Sequence, residues 1–96
     1  MSEISFGFQL ASAPTAHFIN AGAMAPAECA GTALAPSAAP GHLCVYEGSS
    51  LNAGGRNTNV FGSGDGFSLA TGAGLFVRSA AAGDFYTRGT WAVTAP

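Results

Sequence analysis

The chain has 96 residues, of which 8% are charged and none is lysine, and its formal net charge is −2. Three arginines are too few to neutralise a nucleic-acid backbone, so the composition excludes nucleic-acid binding. No apolar run approaches the roughly 18 residues that span a bilayer, and an apolar content of 48% argues against disorder. We therefore expect one folded domain over residues 1–96, with no membrane insertion.

The first half of the chain predicts three strands and one long loop. Residues 4–10 alternate apolar and polar side chains, which is typical of a half-buried strand. Residues 16–19 predict a short second strand, and residues 42–47 predict a third that we expect to be central. Residues 22–41 are rich in Ala, Pro and Gly without a 3.6-residue period, which predicts an ordered loop rather than a helix.

The second half of the chain predicts further strands separated by turns. Residues 48–59 are interpreted as a turn region, because Asn and Gly tolerate positive φ. Strand segments are expected at residues 60–61, 67–70, 75–80 and 85–95. Gly89, in the middle of the last segment, predicts a β-bulge or the close approach of another backbone.

Six or seven short strands with turn signals every 8–12 residues predict an all-β sandwich or barrel. Of these, we expect a small antiparallel β-sandwich of jelly-roll type. Much of its core is expected from six apolar side chains, namely Phe6, Phe8, Val45, Phe76, Trp91 and Val93. A domain of this length buries only about 60–65% of its unfolded surface, so a covalent bond or oligomerisation would add needed stability.

The chain has two cysteines, Cys29 in the long loop and Cys44 in the third predicted strand. A bond between them would close a loop of roughly 15 residues, which stabilises by about 3 kcal/mol in the chain-entropy model. The alternative is a pair of buried free thiols. Because disulfides persist mainly outside the reducing cytosol, the bond predicts an extracellular or cell-surface protein. The N-terminus lacks the features of a secretory signal, so we expect a domain of a longer secreted chain.

No motif in the sequence indicates a metal site. His17 and His42 lie in strand-like segments and are interpreted as structural, since a metal site needs three or four suitably spaced ligands. The five carboxylates lie at predicted turns or strand ends and are interpreted as solvated. Asp65, near Asn57 and Asn59, is similar to part of a calcium loop but lacks the repeated ligands and the bidentate Glu.

Motifs for phosphate binding and nucleophilic catalysis are also missing. The glycine-rich runs at residues 62–66 and 72–74 lack the Gly-Lys-Ser/Thr ending of a phosphate loop. No Gly-x-Ser-x-Gly elbow occurs, so we expect no enzymatic activity and no cofactor. Exposed aromatic rings can stack on sugars. The candidate ligand or interface residues are Tyr46, Tyr86, Asn57, Asn59 and Asp65.

Two segments carry a family resemblance. Residues 29–46 read CAGTALAPSAAPGHLCVY, and residues 88–96 read RGTWAVTAP. Both are similar to parts of the C-terminal domains of bacterial collagen-like surface proteins, in which Cys-x-Gly-Thr leads to Pro-Thr-Ala-x-Pro-Gly-x-Leu-Cys-Val-Tyr. Residues 4–6 and 13–19 fit the same domains, so the resemblance covers nearly the whole chain. Ser37 replaces the expected Thr, and the sequence has neither a Gly-X-Y tract nor the upstream strand segment.

The resemblance implies a non-catalytic globular head at the end of a fibrous stalk. A collagen triple helix needs three chains in register, because glycine must recur at its axis. A C-terminal head that trimerises would align those chains, and the low charge of this sequence suits a packed three-fold interface. We therefore expect a homotrimer that assembles an extracellular or surface fibre. The alternative is a glycan- or surface-binding adhesion module of the same fold.

Overall fold

The computed structural model describes residues 2–60, 64–65, 69–84 and 86–96, and every helix or strand in that part is a β-strand. In chain order the strands are β1 (Ser2–Ser5), β2 (Thr15–Ile19), β3 (His42–Leu51), β4 (Ala53–Val60), β5 (Gly64–Asp65), β6 (Gly72–Ser79) and β7 (Tyr86–Val93). They form a first sheet in the order β1-β6-β4-β5 and a second sheet in the order β2-β3-β7. The described residues contain no helix long and apolar enough to cross a membrane.

The strand β3 is central in the second sheet, as predicted, and both of its faces are covered. Residues 43–47 are all buried, whereas a strand with one solvated face alternates between buried and exposed positions. Leu43 and Val45 belong to the core between the sheets, while Cys44 and Tyr46 pack beneath the loop of residues 22–41. The first sheet, the second sheet and this loop therefore form three layers.

The main core lies between the two sheets. Its buried members are Ile4, Phe6, Leu10, Ala16, Leu43, Val45 and Ala73, with Phe18, Ala70, Leu75 and Val93 packed against them. Each large apolar side chain contributes about 1.5–3 kcal/mol when it is fully buried. The expected all-β fold of two packed sheets is thus confirmed, and Phe6 and Val45 lie in the core as predicted.

A second, smaller core lies between the second sheet and the loop. Ile19, Cys29, Cys44 and Tyr46 are buried there, and Ala25, Ala33 and Ala38 of the loop pack against them. The loop contains no helix or strand, as predicted. Its backbone is tightly folded, because a Cβ atom on Gly31 would lie 2.5 Å from the carbonyl oxygen of Ala35. The small residues of this segment are therefore what allows it to lie flat against the sheet.

The prediction of a purely antiparallel sandwich is wrong for one strand pair. β2 pairs with β3 in parallel, with Thr15 opposite His42 and Ile19 opposite Tyr46. The other four pairings among the described strands are antiparallel. A parallel pair needs a crossover of a dozen or more residues, and the segment between β2 and β3 supplies it as a loop rather than as the usual helix.

The first predicted strand is shorter than its alternating pattern indicates. β1 ends at Ser5, and Gly7 takes a positive φ of 77°. This turn points Phe8 outward, with 59% of its surface exposed, before Leu10 returns to the core. Phe8 was therefore wrongly predicted to be a core residue, because the strand ends at Ser5 and the left-handed turn at Gly7 breaks the alternation.

The turn predicted over residues 48–59 is also wrong. β3 continues to Leu51, and β4 begins at Ala53 and pairs with β6. Asn52 alone connects them, with a positive φ of 52° that Asn tolerates better than most residues. Its side-chain amide donates to the carbonyl oxygens of Ala81 and Asp84, which fixes the corner where the chain changes sheets.

The remaining sequence expectations have mixed outcomes. β6 overlaps the predicted strand at residues 75–80 but begins three residues earlier, at Gly72, and β7 lies within the predicted 85–95 segment. Leu69 and Ala70 are not in a strand, and residues 61, 67, 68 and 85 lie outside the described residues. Val93 is half-buried against the core, whereas Trp91 is 37% exposed and so is not the core residue expected. The side chain of Phe76 lies outside the described part.

Gly89 marks a close approach of two backbones, as the sequence predicts. It lies opposite Glu47 in the β3–β7 pair, where the register shifts between Glu47 and Ser49. A Cβ atom at Gly89 would collide with the carbonyl oxygen of Tyr46. Gly48, in the same irregularity, would place a Cβ at ordinary contact distance, 3.5 Å from the Cβ of Ala33.

These two glycines define a matched test of the bulge. We expect Gly89→Ala to lower the free energy of unfolding by about 1–3 kcal/mol or more, because the added methyl group must displace backbone. Gly48→Ala should change it by less than about 0.5 kcal/mol, as is usual for surface substitutions. Urea denaturation followed by tryptophan fluorescence measures both values. Equal losses in the two variants would contradict the backbone contact.

Candidate functional site

The loop of residues 22–41 is attached to β3 by a disulfide. Cys29 and Cys44 are bonded, with their Cα atoms 5.7 Å apart, and both side chains are fully buried. The prediction of the bond is confirmed, and the alternative of two free thiols is excluded. The bond joins two residues that are 15 positions apart in the sequence, and closing a loop of this length stabilises the fold by about 3 kcal/mol in the chain-entropy model.

The hydroxyl group of Tyr46 forms a second attachment of the loop. It accepts a hydrogen bond from the backbone N–H of Gly31 at 3.0 Å and donates one to the carbonyl oxygen of Ser37. The ring is 3% exposed. Tyr46, a candidate ligand residue from the sequence, therefore presents no ring face to solvent, and its hydroxyl is used within the chain.

The C-terminal strand attaches the loop from a third side. The hydroxyl of Thr90 donates to the carbonyl oxygen of Ala33, and that of Thr94 donates to the carbonyl oxygen of Ala38, both at 2.7 Å. The backbone N–H of Gly41 donates to the carbonyl oxygen of Thr94. Backbone carbonyls in a loop without regular structure need such partners, so β7 and the residues after it complete the layer.

Glu47 is a buried carboxylate that the sequence analysis missed. It is 6% exposed, and its Oε1 atom accepts a hydrogen bond from the backbone N–H of Ala21 at 3.0 Å. Ala21 follows the end of β2, so the carboxylate satisfies a donor where the chain leaves the sheet. The interpretation that all five carboxylates are solvated is therefore wrong for Glu47. Glu47 is covered by the parallel neighbouring strand, and the local sequence does not show which strand that is.

The structure brings the two histidines together. The Nε2 atom of His17 lies 2.9 Å from the Nδ1 atom of His42, and the ring centroids are 5.1 Å apart. Both rings are half-buried on the loop-facing side of the second sheet. His17 is opposite Cys44, two residues beyond His42, so the parallel register makes the histidines diagonal neighbours. They were predicted as separate structural residues, since local spacing carries no sign of this pairing.

The electrostatic surroundings favour the neutral form of His17. Burial, and secondly the neighbouring His42, lower the pKa of His17 from its ordinary value of 6.5. Glu28, in the loop above, acts in the opposite direction. The backbone of Glu28 is held in place, because its carbonyl oxygen accepts a hydrogen bond from the N–H of Ala39 at 2.8 Å.

The other candidate ligand residues belong to β4, β5 and β7, not to the strands that carry the histidines. Asn57 and Asn59 belong to β4 rather than to a turn, and Asn59 pairs with Asp65 of β5. The side chains of these three residues lie outside the described part of the structure. Tyr86 is exposed at the start of β7, and the guanidinium of Arg88 lies 4.8 Å from the centre of its ring.

Exposed apolar side chains lie along β7, an edge strand in the order of the described strands, on both of its faces: Tyr86 and its β3 partner Leu51 on the loop-facing side, and Trp91 on the side of the core between the sheets. We call this edge with its exposed side chains the β7 edge surface and define it by Leu51, Tyr86 and Trp91, which are 51%, 39% and 37% exposed. Leu51 pairs with Tyr86 across β3 and β7, and the Trp91 ring leans on Phe6 of the core with centroids 5.7 Å apart. Edge strands with exposed apolar side chains are ready partners for other strands.

Comparison with known proteins assigns no family. No family model, no curated protein and no solved structure matched the chain. Within the described residues, no group of three or more His, Cys, Asp or Glu side chains is arranged to hold a metal ion. Two features of the described residues have functional potential: the β7 edge surface and the histidine pair.

The attachment through Tyr46 predicts a specific loss on removing its hydroxyl. We expect Tyr46→Phe to reduce the free energy of unfolding by about 1–3 kcal/mol, because the Gly31 N–H and the Ser37 carbonyl lose their partner. Amide hydrogen exchange at Gly31 should accelerate as well. Tyr86→Phe, at the exposed tyrosine, is the control and should leave both measurements close to wild type. An unchanged Gly31 exchange rate in Tyr46→Phe would disprove the attachment.

The lowered pKa of His17 predicts acid sensitivity. Below about pH 6.5 the unfolded chain protonates this histidine before the folded chain does, so the unfolded state binds more protons. The His17 contribution to stability is therefore fully present above that pH and decreases as the pH falls towards the folded-state pKa. Urea midpoints between pH 8 and pH 5 should show this decrease in wild type and a smaller one in His17→Asn. A pKa at or above 6.5 for His17 in an NMR titration would refute it.

Proposed function

We propose that this chain is a non-catalytic assembly domain, which associates with two further copies of itself and so aligns the chains of an extracellular or cell-surface fibre. The observation that carries the proposal is the β7 edge surface. An unpaired edge strand offers backbone N–H and C=O groups to a neighbour, and exposed apolar side chains beside it add area to bury. The occupant we propose is a second copy of this chain.

The low charge of the chain supports self-association. With 8 charged residues in 96 and a formal net charge of −2, copies of the chain repel each other weakly. Interface cores are poor in charged residues and rich in aromatic ones. Of the three residues that define the β7 edge surface, two are aromatic and none is charged.

The extracellular setting is supported by the disulfide and the sequence resemblance. The bond between Cys29 and Cys44 suits an oxidising compartment. The resemblance of residues 29–46 and 88–96 to heads of collagen-like proteins supplies the link to a fibrous stalk. That the fold is of jelly-roll type is part of this proposal. The chain passes from the first sheet to the second, back to the first, and again to the second. The parallel β2–β3 pair departs from a regular jelly roll.

Glycan binding is the alternative function, and Tyr86 is the observation that favours it. Its exposed ring is the kind of surface on which a sugar stacks. The guanidinium of Arg88 already lies over that ring, and Tyr46 is buried. Neither tyrosine offers two free faces, so we rank assembly above glycan binding.

Light scattering on a size-exclusion column tests the proposal. We expect a mass of about three times the chain mass of 9.5 kDa, maintained on dilution. The fluorescence of Trp91, the one tryptophan in the chain, should shift to the blue on assembly because its exposed part becomes buried.

A matched pair of variants locates the interface. Leu51→Ser, on the β7 edge surface, should shift the mass towards that of the monomer. Met24→Ser removes an equally apolar side chain that is 97% exposed in the loop, and it should leave the mass unchanged. A wild-type monomer at all concentrations rejects the assembly proposal, and a glycan array is then the measurement that decides for or against the alternative.

A further inference from the structure

We propose that the turn of residues 32–35, with Leu34 at its tip, packs against β7 of a neighbouring copy of this chain. We call it the Leu34 turn. The inference rests on the three-copy assembly proposed above and names the surface that meets the β7 edge surface. Every contact in a closed ring of three joins two different surfaces, whereas one surface that meets itself gives a pair. The β7 edge surface therefore needs a counterpart elsewhere on the chain.

The Leu34 turn presents an apolar side chain on an uncharged segment. At 99%, Leu34 has the largest exposed fraction of the large apolar side chains in the described residues, while Ala33 beside it packs into the small core beneath the loop. No charged residue lies between Glu28 and Glu47 in the sequence. A single exposed leucine is common on protein surfaces, so the support beneath it decides whether it is a suitable anchor.

The backbone that carries Leu34 is firmly held. Thr32 and Ala35 each donate a backbone N–H to the carbonyl oxygen of the other, at 3.0 and 3.2 Å, which closes the turn. The hydroxyl of Tyr46 binds the segments on both sides of it, as described above. A side chain on a fixed backbone loses little conformational freedom when a partner covers it, which increases the affinity that its burial provides.

The loop covers one half of β7 and leaves the other half open. Thr90 donates to the carbonyl oxygen of Ala33, so the loop lies over the strand at this point. Tyr86 is on the same face of β7, four residues earlier and about 13 Å away. There, Tyr86 and its partner Leu51 are 39% and 51% exposed. This open half is the part of the β7 edge surface that a turn from another copy would cover.

The open half of β7 suits the Leu34 turn in composition and position. Arg88 has its guanidinium 4.8 Å from the centre of the Tyr86 ring, and arginine and aromatic residues are both enriched in interfaces. The turn carries no positive charge that would repel Arg88. Because the turn and the open half lie next to each other on one chain, three copies bring all six surfaces close to a single three-fold axis.

Light scattering on the Leu34→Ser variant tests the inference. We expect association about ten-fold or more weaker than in the wild type, and a mass shifted towards the monomer, because each interface loses a buried leucine side chain. Folding should be unaffected, since Leu34 is 99% exposed. Met24→Ser is the matched control: Met24 is 97% exposed in the same loop but lies outside the turn, and the wild-type mass should be retained.

An equimolar mixture of Leu34→Ser and Leu51→Ser tests whether two different surfaces meet. The first variant keeps its β7 edge surface and the second keeps its Leu34 turn, so the mixture contains one intact interface per pair of chains. Each variant alone should be monomeric, and the mixture at high concentration should contain a complex of two chain masses. A surface that met only itself would give no such rescue.

The outcomes separate this inference from the assembly proposal. A wild-type mass of one or two chains rejects the three-copy assembly, and this inference with it. A wild-type mass of three chains that is retained in Leu34→Ser overturns the inference alone and leaves the assembly in place. A mixture that stays monomeric at the highest soluble concentration also overturns it.

Discussion

The burial of β3 on both faces is the constraint on which the rest of the structure depends. A strand in a chain of this size usually packs one face on the core and leaves the other in water. Here Leu43 and Val45 pack against the first sheet, while Cys44 and Tyr46 need a cover on the opposite face. The loop of residues 22–41 is that cover. Its lack of regular structure is offset by the disulfide and by hydrogen bonds that come from β3 and β7.

The sequence predicted the parts of this arrangement that depend on local chemistry. Three prolines and a run of small residues excluded a helix over residues 22–41. The Cys29–Cys44 bond was expected because a small domain has a limited core and needs added stability. Gly89 indicated a close backbone contact. Each of these features depends on what one residue type permits at one position. The central place of β3 was also predictable, because its apolar positions do not alternate with polar ones.

What the sequence could not show is how distant segments meet. Gly7 and Asn52 each redirect the chain with one left-handed residue, so the expected strand at residues 4–10 ends early and the expected turn at 48–59 becomes a strand. The contact between His17 and His42 exists only because β2 and β3 are parallel in one register. An antiparallel pairing, the more common choice, would have given these rings other neighbours. The burial of Glu47 depends on the same pairing.

The order of these contacts along the chain has a consequence for synthesis. The loop that covers β3 receives hydrogen bonds from Thr90 and Thr94, and β3 finds its second neighbour in β7. During synthesis, β3 and the loop that covers it are therefore made some forty residues before β7, the strand that completes the sheet and supports the loop. Until then, one edge of β3 has no native partner and the loop lacks part of its support. During that interval the open edge of β3 is a place where the chain can pair with the wrong strand, its own or that of another copy.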